Sequence, residues 1–442
     1  MPTPNRNHAL VLGGSIAGLL AARVLADRYA TVTIVERDRL PSGAEHRRGV
    51  PHGRHAHGLL PQGLQIMEEL LPGLTADVER GGGMAADILG NCRWYLNGRL
   101  LRQSHTGLPA LAASRPLIEG EIRRRVRALP NVTVLDGHDI TGLCASADGG
   151  RIIGAAISGA QPRTVKADLV VDATGRGTRT PRWLAKLGFE PPPADRVSIN
   201  LAYTSCVYEE PPGVFGDDVF VVTARFPGQR RSSVMQRLEG GQVLVTLAGV
   251  LGERPPETFD GMPGYARTLA MPDTYEVVSK AKPLSRPIPF RYPSYVRYRY
   301  ENLSAFPAGL LVAGDAVCGF NPVYGQGMSI AAMNAYALSR ELEHDGEPDP
   351  HRYFTAVSRH LEAPWRLAVG ADLALPGVTG PALPESPLTG EYVGRLQLAA
   401  ADDEELAKAF IRVTGLVDSP AALLRPEIVE RVERAGAPIV TR

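Results

Sequence analysis

The apolar positions of the chain change period several times, and each change marks an element. Ala9-Leu10-Val11-Leu12 is an unbroken apolar run that stops at Gly13-Gly14-Ser15. Leu19, Leu20, Val24 and Leu25 then recur at helical spacing, and Thr31-Val32-Thr33-Ile34-Val35 is a β-branched run that reads as a second buried strand. Strand, tight turn, helix and strand in quick succession predict a βαβ unit, hence a parallel sheet covered on both faces. A loop rich in Arg, His and Gly follows at 41–58, and helical spacing returns at 59–71. Between 88 and 103 the pattern alternates about Asn97-Gly98, a hairpin signal. The spacing predicts a helix over 117–129 and strands over 132–135 and 152–157, with Asp148-Gly149-Gly150 turning before the second strand. Leu169-Val170-Val171 is a short buried strand that runs into Asp172-Ala173-Thr174-Gly175.

Residues 198–250 alternate without a helix, most clearly at 219–224 and 243–250, and predict a mostly antiparallel sheet whose edges are punctuated by prolines. Leu310-Leu311-Val312-Ala313 returns to the buried-strand pattern, followed by glycine-rich sequence and a helix over about 327–343. The Pro/Gly-rich stretch 376–387 reads as a linker to a helical piece over 402–434. The expected fold is α/β: a Rossmann-like domain (1–85, 104–190, 300–372) interleaved with a mostly antiparallel β domain (86–103, 191–299), then a C-terminal helical segment (373–442).

Composition narrows the function classes. With 48 basic and 47 acidic residues among 442, the net charge is +1, too small to draw in nucleic acid or an anionic membrane. At 44% hydrophobic and 21% charged, the chain is an ordinary globular one. Cys92, Cys144, Cys206 and Cys318 are scattered, which suggests neither a disulfide framework nor a zinc site and suits a reducing cytoplasm. MPTPNRNH leads into the first strand without the apolar stretch of a signal peptide, and the run 9–22 is too short for a membrane span. A cytoplasmic protein with no transmembrane segment is expected.

Two motifs carry candidate chemistry. Gly13-Gly14-Ser15-Ile16-Ala17-Gly18 lies between a strand and a helix, where free N–H groups and the helix dipole suit a pyrophosphate. Ser15 stands where the usual fingerprint has glycine, and its hydroxyl could donate to phosphate. Glu36, at the end of the second strand, can accept both ribose hydroxyls of an adenosine and argues against a 2′-phosphate; Arg37 could lie over the adenine. The bland alternative is a glycine turn in an unrelated α/β protein. The second motif is Gly314-Asp315-Ala316 followed by Asn321-Pro322-Val323-Tyr324-Gly325-Gln326-Gly327-Met328 ahead of a helix. An aspartate after a strand can bind sugar-like hydroxyls, and a Pro-x-x-Gly-x-Gly run brings bare backbone to a helix N-terminus. These are the requirements of the ribityl chain and of the ring edge of a reduced flavin.

The chain resembles the FAD-dependent monooxygenases of the aromatic-hydroxylase type, the superfamily that includes squalene epoxidase. Within it, the chain is most similar to the bacterial branch of polyketide and polyether epoxidases. Four stretches carry the resemblance: VLGGSIAGLLAARVL with VTIVERD, RRGVPHGRHAHGLL, DLVVDATGRGTRTPRWL, and GLLVAGDAVCGFNPVYGQGMSIAAMNA. The resemblance implies that 13–18 hold the FAD pyrophosphate and Glu36 the adenosine ribose. It places Arg115 near the FAD at a helix start and Asp315 on the ribityl chain. It lines the isoalloxazine with 322–328, Pro322, Gly325 and Gly327 facing the ring and Gln326 and Met328 beside them. It sets 172–179, with Asp172 and Gly175, beside the cofactor, although Ala173-Thr174-Gly175 replaces the hydroxylases' Ala-Asp-Gly. Arg54 would touch the FAD, and His55 or a neighbouring histidine would face the flavin or substrate, able to donate a hydrogen bond or proton near neutrality. A histidine metal site lacks a matching ligand cluster, so no metal is expected; capping or surface histidines are the alternative.

The chemistry implied by the resemblance is reduction of FAD by NAD(P)H, addition of O₂ to give a C4a-hydroperoxide, and transfer of the distal oxygen to an apolar small molecule. Epoxidation of an alkene in a polyketide- or terpenoid-like substrate is expected, with aromatic hydroxylation close behind and a separate flavin reductase as a conceivable partner. Other readings are an FAD-dependent reductase or dehydrogenase that does not use O₂, and a protein that binds FAD for structural or sensory ends. A flavin-dependent halogenase would need a catalytic lysine, and no lysine precedes Lys166. Arg123-Arg124-Arg125 reads as the solvated face of a helix. Tyr292, Tyr295, Tyr298 and Tyr300 read as packing or an edge strand, with a pocket role as the alternative; Trp94 and Tyr95 suit core packing and pocket lining equally.

Overall fold

The computed structural model describes residues 6–159, 162–226 and 228–436. Residues 1–5 and 437–442, to which the expected domain bounds extend, lie outside the described residues. The βαβ start forms as its pattern predicts: strand Arg6–Leu12, helix Ile16–Ala26 and strand Tyr29–Glu36. These strands belong to a five-stranded parallel sheet in the spatial order 310–312, 169–172, 6–12, 29–36, 132–136. Register explains what this sheet does for a site. Leu12 lies beside both Val35 and Asp172, and Asp172 lies beside Val312. The carboxyl ends of these three neighbouring strands, 6–12, 169–172 and 310–312, therefore finish level, so the turns that follow them, at 13–15, 173–177 and 313–316, emerge along one edge. Open α/β sheets bind ligands in the crevice outside that edge.

The second sheet has seven strands in the order Ile288–Tyr298, Ala194–Glu209, Gln242–Gly249, Arg231–Leu238, Phe220–Thr223, Cys92–Leu96, Arg99–Leu100. Its pairs are antiparallel except for 220–223 against 92–96, which run parallel. The Asn97-Gly98 hairpin supplies the last two strands, and both turn residues take positive φ (47° and 73°) as a two-residue hairpin turn of type I′ requires. The tyrosine-rich segment is an edge strand of this sheet, with Tyr292 and Tyr295 buried. Strands Met84–Asp87 and Pro109–Ala112 form a separate two-stranded sheet, so the expected domain boundary at 85/86 falls inside a strand. A three-stranded antiparallel sheet at 140–166 completes the β structure.

Helices cover the rest. Gly327–Glu341 packs on Ile16–Ala26 and on Pro61–Leu70, so closely that a Cβ on Gly63 would lie 2.5 Å from Ser329 Cα. The 24-residue helix Pro350–Leu373 follows. The C-terminal helical region begins at Gly390, earlier than the pattern suggests, with helices Gly390–Ala399, Glu404–Thr414 and Pro426–Gly436. Its apolar faces pack on the 88–101 region of the second sheet. Within the Arg123–125 triplet, Arg123 is a correction to the solvated-face reading. Arg123 is buried, donating to Gly43 O at 2.5 Å, while Arg124 and Arg125 pair with the buried Asp77. The partner of Arg123 lies far off in sequence, so helical spacing alone could not place it inside, whereas Arg124 is exposed as expected.

Candidate functional site

One cavity of about 1520 Å³ opens at the carboxyl edge of the parallel sheet. It runs from Glu36 and Arg37 past the 13–17 turn and Asp315 to 322–328, then between the second sheet and the C-terminal helices. Gly13 is required at its position: φ is +104°, and a Cβ there would lie 2.5 Å from Ala173 O. Gly18 faces away from the cavity and serves contact within the motif, since a Cβ would come 1.8 Å from Gly13 O. Gly14 does not line the cavity either; its N–H donates to Glu36 Oε2 at 2.8 Å. Ser15, Ile16 and Ala17 do line it, and no side chain caps the helix that starts there, so its first-turn N–H groups are free for a ligand.

The Ser15 hydroxyl is engaged elsewhere. It donates to Glu119 Oε2 at 2.9 Å and accepts from Arg115 Nη2 at 3.0 Å, so a phosphate would meet backbone rather than this hydroxyl. Arg115 is buried, ion-paired with Glu119 at 2.9 Å, and its Nε has no partner. Burial lowers the Arg115 pKa despite the Glu119 carboxylate beside it. Arg47, which the sequence reading passes over, is as buried and bridges Glu36, Asp38 and Glu119. Burial opposes its charge, but Glu119, Glu36 and Asp38 together hold its pKa above the ordinary value. The signal was its place at the head of the RRGVPHGRHAHG stretch. Each Glu36 oxygen already accepts one backbone N–H, from Gly14 and from Asp38, which leaves part of its capacity for a hydroxyl. Arg37 is exposed at the cavity margin.

Asp315 is the most telling group. Its carboxylate lines the cavity and meets no hydrogen-bond donor among the described residues. Burial raises its pKa, with Arg176 and Arg115 only partly offsetting it. Pro322, Gly325, Gln326, Gly327 and Met328 also line the cavity, ahead of helix Gly327–Glu341. Gln326 Oε1 is buried without a partner, and Arg115 Nη1 lies 3.2 Å from Met328 Sδ. Gly175 lines the wall, but Asp172 is a correction. It is fully buried outside the lining, and its oxygens accept from the Thr174 N–H and from the Thr174, Thr178 and Thr180 hydroxyls. It shapes the turn, with no capacity turned to a ligand.

The histidine stretch lies between the second sheet and the glycine run. Ala56 N–H donates to Thr246 Oγ1 at 3.2 Å and His57 N–H to Gln236 Oε1 at 3.1 Å, while Gly58 faces Gly325. Arg54 is exposed and outside the cavity lining, contrary to expectation. His55 is buried against Tyr203 and Phe290, with Nδ1 2.8 Å from Ser205 Oγ. Burial, then Arg54 and His46, push its pKa down to about 4. Burial first and Arg115 next take His57 to about 3, and burial puts His52 well below its ordinary value. All three rings are neutral at pH 7, so they offer hydrogen bonds and no labile proton; the expected proton donation near neutrality does not fit this burial.

A second buried group, absent from the sequence reading, fixes the 322–328 run. Asp372, on Pro350–Leu373, is fully buried. Its oxygens accept from Arg225, from Tyr324 OH and Tyr295 OH (each 2.7 Å) and from Asn321 Nδ2 (2.9 Å). Asn321 and Tyr324 bracket Pro322, and Asn321 Oδ1 caps the turn by accepting from Val323 N–H at 3.1 Å. Trp94 lines the cavity with its indole N–H bound to Ile88 O, whereas Tyr95 packs on the opposite side of the sheet.

The residues present suit an FAD. An uncapped helix start lies beside two buried arginines. A glutamate ends the second strand, and an unpartnered carboxylate stands at the same sheet edge ahead of the glycine run. No family model matches the chain. Protein Rv3254 of Mycobacterium tuberculosis is 34% identical over 438 residues, covering 94% of this chain and 90% of the relative. Among solved structures, a flavoprotein/dehydrogenase from Cytophaga hutchinsonii superposes with a TM-score of 0.67 at 13% identity, covering 96% of each chain. The flavin-dependent brominase Bmp2 gives 0.65 at 15%, covering 97% of this chain and 99% of its own. PqsL of Pseudomonas aeruginosa, a probable FAD-dependent monooxygenase, gives 0.60 at 18%, covering 91% of this chain and all of its own. The chain thus belongs to the family of Rv3254 and has the fold shared by FAD-dependent monooxygenases and flavin-dependent halogenases.

Proposed function

We propose that the protein is an FAD-dependent monooxygenase that places one oxygen atom of O₂ into an uncharged apolar substrate, with alkene epoxidation as the favoured reaction and aromatic hydroxylation as the alternative. The observation that carries this reading is the Asp315 carboxylate, without a donor, facing the same cavity as the uncapped 13–17 turn and Glu36. In this reading the helix start, with Arg47 and Arg115 behind it, holds the pyrophosphate. Glu36 takes a ribose hydroxyl, Asp315 takes hydroxyls of the ribityl chain, and 322–328 lie against the ring. Bound FAD would supply electron transfer from NAD(P)H, directly or through a separate reductase, and activation of O₂. The balance is substrate, O₂, NAD(P)H and a proton giving oxygenated substrate, water and NAD(P)⁺.

The chain's own work is binding and exclusion. The carboxylate and cations fix the cofactor's polar half, the Asp372 group holds the glycine run, and the apolar walls keep water from the reacting centre. The neutral histidines orient groups without protonating them at pH 7. A lysine for halogenation has no candidate, since none lines the cavity among the described residues. Heat-released flavin at one FAD per chain, lost in Gly13→Val, is expected; turnover under ¹⁸O₂ should put a single labelled atom in the product. A colourless protein that FAD does not reconstitute, or label arriving from water, removes the reading.

A further inference from the structure

The cavity is larger than one cofactor needs. Small-molecule pockets hold roughly 300–1,000 Å³, against about 1520 Å³ here. The excess has a definite place. On strand Phe220–Thr223 side chains alternate, so Phe220 and Val222 face the cavity while Val221 enters the core on the other side of the sheet. Opposite them stand Val393 of helix Gly390–Ala399 and Phe410 of helix Glu404–Thr414. The hairpin tip joins the two walls, Asn97 Nδ2 donating to Gln397 Oε1 at 2.6 Å.

We propose that this compartment, between the second sheet and the C-terminal helices, is a substrate chamber for an uncharged, extended apolar molecule, such as fused rings or a polyene, that enters past the 383–388 segment. The proposal deepens the monooxygenase reading and rests on it for the chemistry, not for the binding. Charge sets the ligand class. Arg225, a buried cation on this side, is neutralised by Asp372. At the rim, Arg366 donates to the Pro384 and Glu385 carbonyls and Glu362 is held by Arg297 and Arg299, while the facing walls at Phe220, Val222, Val393 and Phe410 carry no charge of either sign. The entrance follows from exposure. The wall is exposed at Ala371, Ala374 and 384–387; its other exposed positions include Arg37 and Pro51 beside the adenosine-binding turn, Asp139, Arg176 and Gly177, and Pro322. A ligand and the adenosine half of a cofactor would thus enter by different doors, and the Pro/Gly-rich segment is a rim of the chamber as well as a linker.

The probe is Nile red, an uncharged fused-ring dye that brightens in apolar surroundings, added to FAD-loaded protein whose flavin content is counted in the same sample. One saturable site per chain is expected, unaffected by excess FAD. Val222→Trp and Val393→Trp, which fill the chamber from opposite walls, should each weaken dye binding at least tenfold while flavin content and the melting curve stay at the parent's values. The anionic dye 8-anilinonaphthalene-1-sulfonate should bind at least tenfold more weakly than Nile red. If one variant does not fold, the other carries the test. Dye displaced by FAD, dye binding unchanged in both folded variants, or tighter binding of the anionic dye overturns the proposal. A protein that binds the dye as described but no FAD keeps the chamber and removes only the flavin reading.

Discussion

Asp315 is a carboxylate that the fold carries at a cost. Its pKa is raised by burial, so the folded state holds its proton more tightly than the unfolded state. Its contribution to stability is therefore lost as pH rises from the ordinary carboxylate value through the raised one, and at neutral pH the ionised group weighs against folding. Asp315→Asn should raise the melting temperature of the flavin-free protein at pH 7. It should also weaken FAD by roughly ten- to a hundredfold, as expected for losing hydrogen bonds to a charged acceptor worth about 1.5–3 kcal/mol. Flavin titration beside thermal melting checks both, and a variant that melts lower without flavin would contradict the sign. His55 runs the other way. Its pKa falls from 6.5 to about 4, so stability present above 6.5 is lost as pH drops from 6.5 through 4, by up to about 3 kcal/mol. Urea unfolding at pH 7 and pH 4 should show a smaller difference in His55→Gln than in the parent.

The elements were legible where the pattern was local. The strands at 6–12, 29–36, 169–172 and 310–312 each carry a short apolar or β-branched run that stops at a glycine or a carboxylate within two residues, so the strands could be read. Helix Pro350–Leu373 could not, because Pro364 sits inside it and charged residues interrupt its apolar face. The site divides the same way. Glu36, Asp315 and the glycine runs follow strands at fixed offsets, whereas Arg47, Asp372 and Arg225 are charges in a loop, a helix and a strand end, which read as surface until distant partners bury them. Asp172 failed for the converse reason: its offset was right, but the threonines two, six and eight residues on consume its oxygens. Asp372 can be weighed directly. Asp372→Ala would leave Arg225, two tyrosine hydroxyls and Asn321 without their acceptor, and breaking a buried ion pair from one side costs about 3–5 kcal/mol. Asp372→Asn, which keeps one acceptor oxygen, should lose less. A urea midpoint for Asp372→Ala equal to the parent's would show that the group does not hold the 322–328 turn.

In the molecule as a whole, the parallel register brings a turn near the start of the chain and one beyond residue 310 to a single edge. The three-stranded sheet at 140–166 and the second sheet are both inserted between them. A ligand that spans this edge must quiet both segments together, whereas a ligand with only the adenosine half can reach one. Hydrogen exchange separates these cases. FAD should protect amides in 13–18 and in 313–328 in the same titration, while ADP should protect the first segment and leave the second unchanged. Exchange in the 140–166 sheet, away from the cavity except at Ile140, should respond to neither beyond its first residues. Since a ligand bound only to the native state stabilises it by about 2.7 kcal/mol at a hundred times its dissociation constant, global unfolding would slow everywhere. The informative quantity is thus the protection above that uniform background. FAD protection confined to one of the two segments would mean that they do not share a ligand, however level the strand ends lie.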